Sequence, residues 1–386
     1  MNEKNYYDVI VSGIGSMGSA ACYYLSRANS KVLGLEQFAI PHDKGSHAGQ
    51  TRIIRKAYYE DPAYVPLLER AYHNWNQVQD QAGHQLYYKT GLLYHGKPDH
   101  PVIKGSRLSA SINNIELNDL TPAEAAEKFP QFHLPAGFIS FLEPDAGFIT
   151  PEKAVKTFVA EAKKNGAEIR SEEKLIEWKK ESGGLKVITD KAVYFCKKLV
   201  ITAGAWTDKI IPKLRSELSV TRQTLAWMKP SAKELFELGT FPCWMMAPEN
   251  KGGVYYGFPI VPANQFDGPV GLKMAYHHPA GITDPDQVDR NISARDEEEI
   301  RAIVKNFFPS VGAAIAAMKT CLYTNTPDEN FIIDFLPEQE DNVIVACGFS
   351  GHGFKFVSVV GEILSELAHE GKSKLPIDFL RLSRFK

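Results

Sequence analysis

The sequence predicts an α/β protein: a parallel sheet of Rossmann-like type, assembled from separated stretches of chain, with an inserted α+β domain carrying an antiparallel or mixed sheet. Three observations predict it. A strand, a glycine turn, a helix and a second strand follow one another within residues 7–36, and such a βαβ unit fixes parallel pairing. Two later runs of strand length, 199–202 (LVIT) and 342–346 (NVIVA), lead into glycine-containing turns. Short β-branched runs of that kind read as buried strands of a parallel sheet. Between these elements lie stretches of different texture, about 86–145 and 221–318, in which short strands and turns alternate.

The elements follow in order. Residues 7–12 (YDVIVS) form the first strand, and Met17, Ala20, Ala21, Tyr24 and Leu25 repeat at helical spacing before the strand at 31–36 (KVLGLE). Apolar residues at 64, 67, 68, 71, 72, 75 and 78 fall on one face of a helix. Thr150-Pro151, a cap followed by proline at the first helical position, starts another helix that ends at Gly166. Thr121 with Glu124, and Ser293 with Asp296, have capping-box spacing. A glycine-rich loop at 348–353 leads into a helix whose buried face holds Val359, Val360, Ile363, Leu364 and Leu367. Residues 1–85, 146–220 and 319–386 are therefore expected to form a discontinuous nucleotide-binding domain. Residues 86–145 and 221–318 are expected to form a substrate-binding domain.

Composition narrows the function. With 44 basic and 46 acidic residues the formal charge is −2, which gives no long-range attraction to nucleic acid or to an anionic membrane. An apolar content of 44% with 23% charged residues is globular and not disordered. Five cysteines without a CxxC pair argue for a reducing compartment. No apolar run approaches the roughly 18 residues of a membrane span. The N-terminal stretch carries Glu3 and Lys4 and runs straight into glycines, so no signal peptide and a cytoplasmic location are expected.

Gly13-Ile-Gly15-Ser16-Met17-Gly18 is GxGxxG placed between a strand and a helix. The first glycine permits the tight turn, the second lets backbone approach a pyrophosphate, and the third lets helix and strand pack closely. The helix N-terminus then offers free N–H groups to phosphate. Glu36, at the end of the second strand and 23 residues after Gly13, can accept from ribose hydroxyls and disfavours a 2′-phosphate. FAD or NAD is thus preferred over NADP. Gly-rich turns recur at Ala203-Gly204 and at 348–353, and a cofactor contacted by both ends of the chain suits extended FAD. No metal-ligand cluster, carboxylate pair or Ser/His/Asp set stands out by spacing.

Several segments then agree with one family: Gly45-Ser-His-Ala-Gly-Gln-Thr-Arg52-Ile-Ile-Arg55, Tyr255-Tyr256-Gly-Phe-Pro259, Gly271-Leu-Lys273-Met-Ala-Tyr-His277, Cys321-Leu-Tyr323-Thr, Asp328-Glu-Asn-Phe-Ile-Ile-Asp334 and Gly348-Phe-Ser-Gly351-His-Gly353-Phe-Lys355-Phe. In these motifs, and over essentially its whole length, the chain resembles the monomeric sarcosine oxidase and N-methyltryptophan oxidase family. The closing Arg-Leu-Ser-Arg-Phe (381–385) looks more like the latter. The resemblance implies a monomer with covalent FAD that oxidises the secondary amine of N-methyl amino acids with molecular oxygen.

Carried over position by position, it places the flavin thioether on Cys321 and makes Lys273 the oxygen-activating lysine. Arg55 and Lys355 become the holders of the substrate carboxylate, where arginine offers a bidentate fork and lysine a point charge. Arg52 lies by the flavin, and His277, Tyr256 and Tyr323 line the substrate side. Gly348, Gly351, Gly353 and Lys355 join the N-terminal motif around the cofactor. A histidine near neutrality is expected to tune the amine's protonation. The chain departs from the family's Gly-Ser-His-His-Gly-Asp-Thr-Arg at Ala48 and Gln50. Related oxidases of fructosyl amino acids, pipecolate or D-amino acids, a flavin dehydrogenase with another acceptor, and a non-catalytic dinucleotide-binding module remain as alternatives.

Overall fold

Tyr6–Ser12 lies at the centre of the first sheet of the computed structural model, which describes residues 5–249, 252–278, 280–337, 339 and 342–385. Glu3, Lys4 and the middle of the 249–253 loop lie outside the described residues. The strand pairs in parallel with Val32–Leu35 on one side and Val193–Ile201 on the other, with Ser12 opposite both Leu35 and Ile201. Val343–Cys347 adds in parallel beside Val193–Ile201, so four strands end at one edge and their turns converge there. Val9 and Val11 face a core shared with the helices Ser16–Arg27, Val65–Ala82, Pro151–Lys164 and Val357–Glu370, while Ile10 faces the opposite core. Every apolar position assigned to the helix faces above is buried.

The second sheet is mixed. Its order is Ile315–Asn325, Ser219–Met228, Leu272–His277, Val254–Phe258, Cys243–Met246, Leu92–Gly96, Ile139–Glu143 and Asn118–Leu120. Neighbours are antiparallel except Cys243–Met246 beside Leu92–Gly96. A small third sheet joins Arg52–Ile54 and Tyr87–Lys89 to Gly147–Ile149. Cys321 and Tyr323 sit on the long strand Ile315–Asn325 of the mixed sheet, which runs across the 318/319 boundary. No helix among the described residues is long and apolar enough to cross a membrane.

Three local differences from the sequence reading have physical causes. The run at 199–202 is the end of a nine-residue strand, whose first half alternates exposed and buried residues and pairs antiparallel with Gly184–Thr189. The Thr150 hydroxyl donates to the Leu86 carbonyl and does not cap its helix. A helix at Pro101–Asn113 was not foreseen: Gly105, Ser106, Ser109 and Ser111 are poor helix formers, and its N-cap is the His100 side chain. Both expected capping boxes form.

The glycine turn shows why three glycines are needed. Gly13 has φ +92°, and a Cβ there would lie 2.6 Å from the Thr202 carbonyl oxygen. At Gly18 a Cβ would sit 1.9 Å from the Gly13 carbonyl oxygen and 2.6 Å from Thr202 Oγ1. Backbone cannot yield cheaply there, so Gly18→Ala should cost about 3 kcal/mol. A thermal melt of Gly18→Ala should show a Tm several degrees below wild type; an unchanged melt would contradict this packing.

Candidate active site

A cavity of about 370 Å³ opens at the edge where the parallel strands end. Gly13, Gly15, Ser16, Met17, Glu36, Gly348, Gly351 and Gly353 line it, while Gly18 is packed behind. The helix Ser16–Arg27 has no side-chain cap and no acid in its first turn, which leaves its N-terminal N–H groups for an anion. The nearest atom to a Cβ on Gly15 would be 3.8 Å away, so backbone is open to a ligand at that point. The Glu36 carboxylate accepts from the Ile14 and Phe38 N–H groups at 2.8 and 3.0 Å. Burial pushes its pKa up against those backbone bonds.

Two polar atoms in this wall, His47 Nε2 and Thr324 Oγ1, are buried without a hydrogen-bond partner. Buried polar groups are normally paired, so the wall fits a polar ligand that supplies the missing partners. An extended dinucleotide meets that description from end to end.

A second cavity of about 70 Å³ shares Arg52, Tyr323, Gly351 and Phe354 with the first. Arg55, Lys355, Tyr256, His277 and Cys321 also line it, so eight of the residues carried over by resemblance, Gly351 among them, meet around one small space. Arg55 is 3% exposed. Its guanidinium donates to both Glu60 oxygens at 2.6 and 2.7 Å and to the Ala57 carbonyl at 2.9 Å, between the rings of Tyr58 and Tyr59. Lys355, 4% exposed, donates to the His352 carbonyl at 2.6 Å. Burial and then the Arg55 charge lower its pKa to about 7.

Cys321, buried on the same strand face as Tyr323, has its thiol pKa raised by burial, with Arg52 and Lys273 pulling the other way. His277 Nδ1 lies 3.2 Å from the Tyr323 hydroxyl. Burial lowers the His277 pKa to about 4. The imidazole is therefore neutral at physiological pH, and the expectation of a near-neutral titration is corrected by desolvation.

Lys273 stands apart. It is 1% exposed and lines neither cavity; its ammonium donates to the carbonyls of Gly49 and Thr51 at 2.5 and 2.7 Å. Burial, then the Arg52 charge, lowers its pKa well below that of a free lysine. Arg52 donates to the carbonyls of Ser46, Ala48 and Thr51. Lys273 thus occupies the layer behind Arg52, within the loop that walls both cavities. Gln50 is a saturated joint in that loop: its amide donates to the carbonyls of Asp267 and Pro269, and its oxygen accepts from Trp227 Nε1 at 2.9 Å.

Several functional groups escaped the sequence reading. Glu60 neutralises Arg55; Glu143, 0% exposed, accepts from the Lys56 and Ala57 N–H groups; Glu152 accepts from those of Gly49 and Gln50. The only signal available was an acid five residues after Arg55, which any surface helix could also show. His352 and Tyr59 complete the small cavity.

A glycine-lined cavity at the ends of parallel strands, sharing a wall with a small cation-lined one, is the layout of a dinucleotide-dependent oxidoreductase. The profile of the FAD dependent oxidoreductase family (DAO) matches residues 8–367. The chain belongs to that family and is an FAD-dependent oxidoreductase. Among curated proteins it is similar to monomeric sarcosine oxidase of Streptomyces avermitilis, 36% identical over 96% of both chains. It is 35% identical to monomeric sarcosine oxidase of an Arthrobacter species, over 100% of this chain and 98% of that one. It is 34% identical to N-methyl-L-tryptophan oxidase of Yersinia pestis, over 98% of this chain and 100% of that one. Among solved structures, NikD, an amino acid oxidase of nikkomycin biosynthesis, shares the fold with a TM-score of 0.86 at 22% identity, covering 98% and 97% of the two chains.

The Glu60–Arg55 pair has a pH consequence. Burial raises the Glu60 pKa, but Arg55, with His352 and Lys355, holds it at about 2, below its ordinary 4.5. The stabilisation is therefore present above pH 4.5 and is lost as pH falls toward 2. It amounts to about 3 kcal/mol. Urea titrations of Glu60→Gln between pH 5 and 2 should lack that component of the acid-side slope; a slope equal to wild type would contradict the pairing.

Proposed function

We propose that this protein oxidises the secondary amine of N-methyl amino acids with oxygen to an imine that water hydrolyses, giving the free amino acid, formaldehyde and hydrogen peroxide, with FAD held covalently through Cys321. One observation carries the reading: a small, cation-bearing cavity shares a wall with the cofactor cavity. The names of the similar curated proteins support it. So do the five free, buried cysteines, which suit a cytoplasmic, reducing setting. A monomer is part of the same reading.

The residues divide the work. Arg55 and Lys355 bind the substrate carboxylate; since Glu60 already balances Arg55, Lys355 and Arg52 supply the net positive charge. Neutral His277 and the hydroxyls of Tyr256 and Tyr323 surround the amine end and exclude bulk water, so no strong acid holds the amine protonated. FAD, when bound, would supply the two-electron redox chemistry that links the amine to oxygen. Lys273 and Arg52 place positive charge in a water-poor layer beside the cofactor cavity, where negative charge developing on oxygen is stabilised most strongly. The Cys321 sulfur, fixed on a strand shared with Tyr323, anchors the cofactor at the junction of the two cavities.

The test is peroxide and formaldehyde release from sarcosine under air. Equimolar amounts of both are expected; bleaching of the flavin without peroxide would overturn the oxidase reading. Lys273→Met should slow reoxidation by oxygen by on the order of 100-fold or more while anaerobic reduction by substrate changes little, and equal slowing of both would remove the assigned role. Acid precipitation of Cys321→Ala should leave the flavin in the supernatant, whereas wild-type precipitate stays yellow; a yellow Cys321→Ala pellet would refute the link.

A further inference from the structure

We propose that Gln50 is the positioning residue for Lys273: its side chain clamps a strained turn whose oxygens hold the lysine's ammonium beside the cofactor cavity. The inference rests on the oxygen-activating role read for Lys273 above and adds the residue through which the fold sets it.

The turn is built around Gln50. The Thr51 N–H donates to the Gly49 carbonyl at 2.8 Å, and Gln50 between them has φ +73°. That is a γ-turn of the strained, positive-φ kind, at a φ where glycine or asparagine is the ordinary choice. An ammonium has three protons to donate. Those of Lys273 go to the Gly49 carbonyl, the Thr51 carbonyl and Thr51 Oγ1, at 2.5, 2.7 and 3.1 Å. Every one of these acceptors belongs to a residue flanking Gln50. In extended backbone, carbonyls two residues apart are separated by about 6.5 Å, further than one ammonium can bridge at such distances. The turn is therefore what makes the lysine's seat.

The clamp reaches both strands on which that seat depends. The Gln50 amide donates to the carbonyls of Asp267 and Pro269, each at 3.1 Å, on the segment leading into the strand Leu272–His277 that carries Lys273. Its oxygen accepts at 2.9 Å from Nε1 of Trp227, the residue paired with Lys273 across the sheet. Both amide protons and the oxygen are thus engaged, in a side chain only 6% exposed. A carboxylate in its place could accept from Trp227 but could donate to neither carbonyl. The ammonium is held by the turn on one side and meets the Phe258 ring at 4.5 Å on another.

The experiment follows two half-reactions in stopped flow: reoxidation of dithionite-reduced flavoprotein by oxygen, which needs no amine, and anaerobic reduction by sarcosine. Gln50→Met keeps the side-chain length and removes all three bonds. It should slow reoxidation by on the order of tenfold more than it slows reduction. In the Lys273→Met background the same substitution should slow reoxidation no further. Trp227→Phe removes one of the three bonds and keeps a ring, and it carries the same test if Gln50→Met purifies without flavin. It should slow reoxidation in the same direction, again only while Lys273 is present. Wild-type reoxidation in these variants, equal slowing of both half-reactions, or the same slowing with and without Lys273 overturns the clamp and leaves the lysine's role standing. Wild-type reoxidation in Lys273→Met overturns that role, and this inference with it.

Discussion

Residues 45–60 run between the two cavities with little regular secondary structure, and two carboxylates, buried Glu143 and half-buried Glu152, make that course possible. Glu152 accepts from the N–H groups of Gly49 and Gln50, and Glu143 from those of Lys56 and Ala57. Each buried N–H left unpaired would cost about 1–3 kcal/mol, so these acids replace what a sheet ladder would otherwise provide. The carbonyls that remain face the other way. Those of Ser46, Ala48, Gly49 and Thr51 receive Arg52 and Lys273. One loop thereby fixes the cations of the cofactor side and, through Arg55, those of the substrate side.

Burying so many cations is costly, and the molecule distributes the cost unevenly. Arg55 has a full partner in Glu60 and stays charged. Lys355 and Lys273 have only carbonyl or hydroxyl acceptors, and desolvation lowers their proton affinity. A lysine that holds its proton weakly until an anion arrives is suited to binding one. The neutral Gln50 adds no compensating charge next to Lys273, which keeps that ammonium dependent on whatever negative charge develops nearby.

Much of this was legible in the chain because the relevant physics is local. Gly18 is dictated by sterics against Gly13, five residues earlier, and Gly13 by its positive φ as well as by the distant Thr202; the helix faces and capping boxes follow from spacing alone. The clustering of Arg55, His277, Cys321 and Lys355 was not local, and only resemblance brought those positions together. Glu143 and Glu152 carried no signal, since a carboxylate on a strand or in a first helical turn is ordinarily solvated. The helix Pro101–Asn113 went unseen because tertiary contacts, Gly105 against Tyr59 and Ser109 with the Tyr58 N–H, and not propensity, account for its weak helix formers. His277 was misjudged because its burial depends on strands far apart in sequence.

If the loop at 45–60 couples a cation-lined carboxylate site to the cofactor, a small acid lacking an amine should be felt by the flavin. The direct measurement is the visible spectrum of the oxidised protein titrated with acetate. A saturable shift of the flavin bands, weakened in Lys355→Met, is the result expected. A flavin spectrum indifferent to acetate at saturating concentration, or a preparation with no flavin bands, would contradict the account.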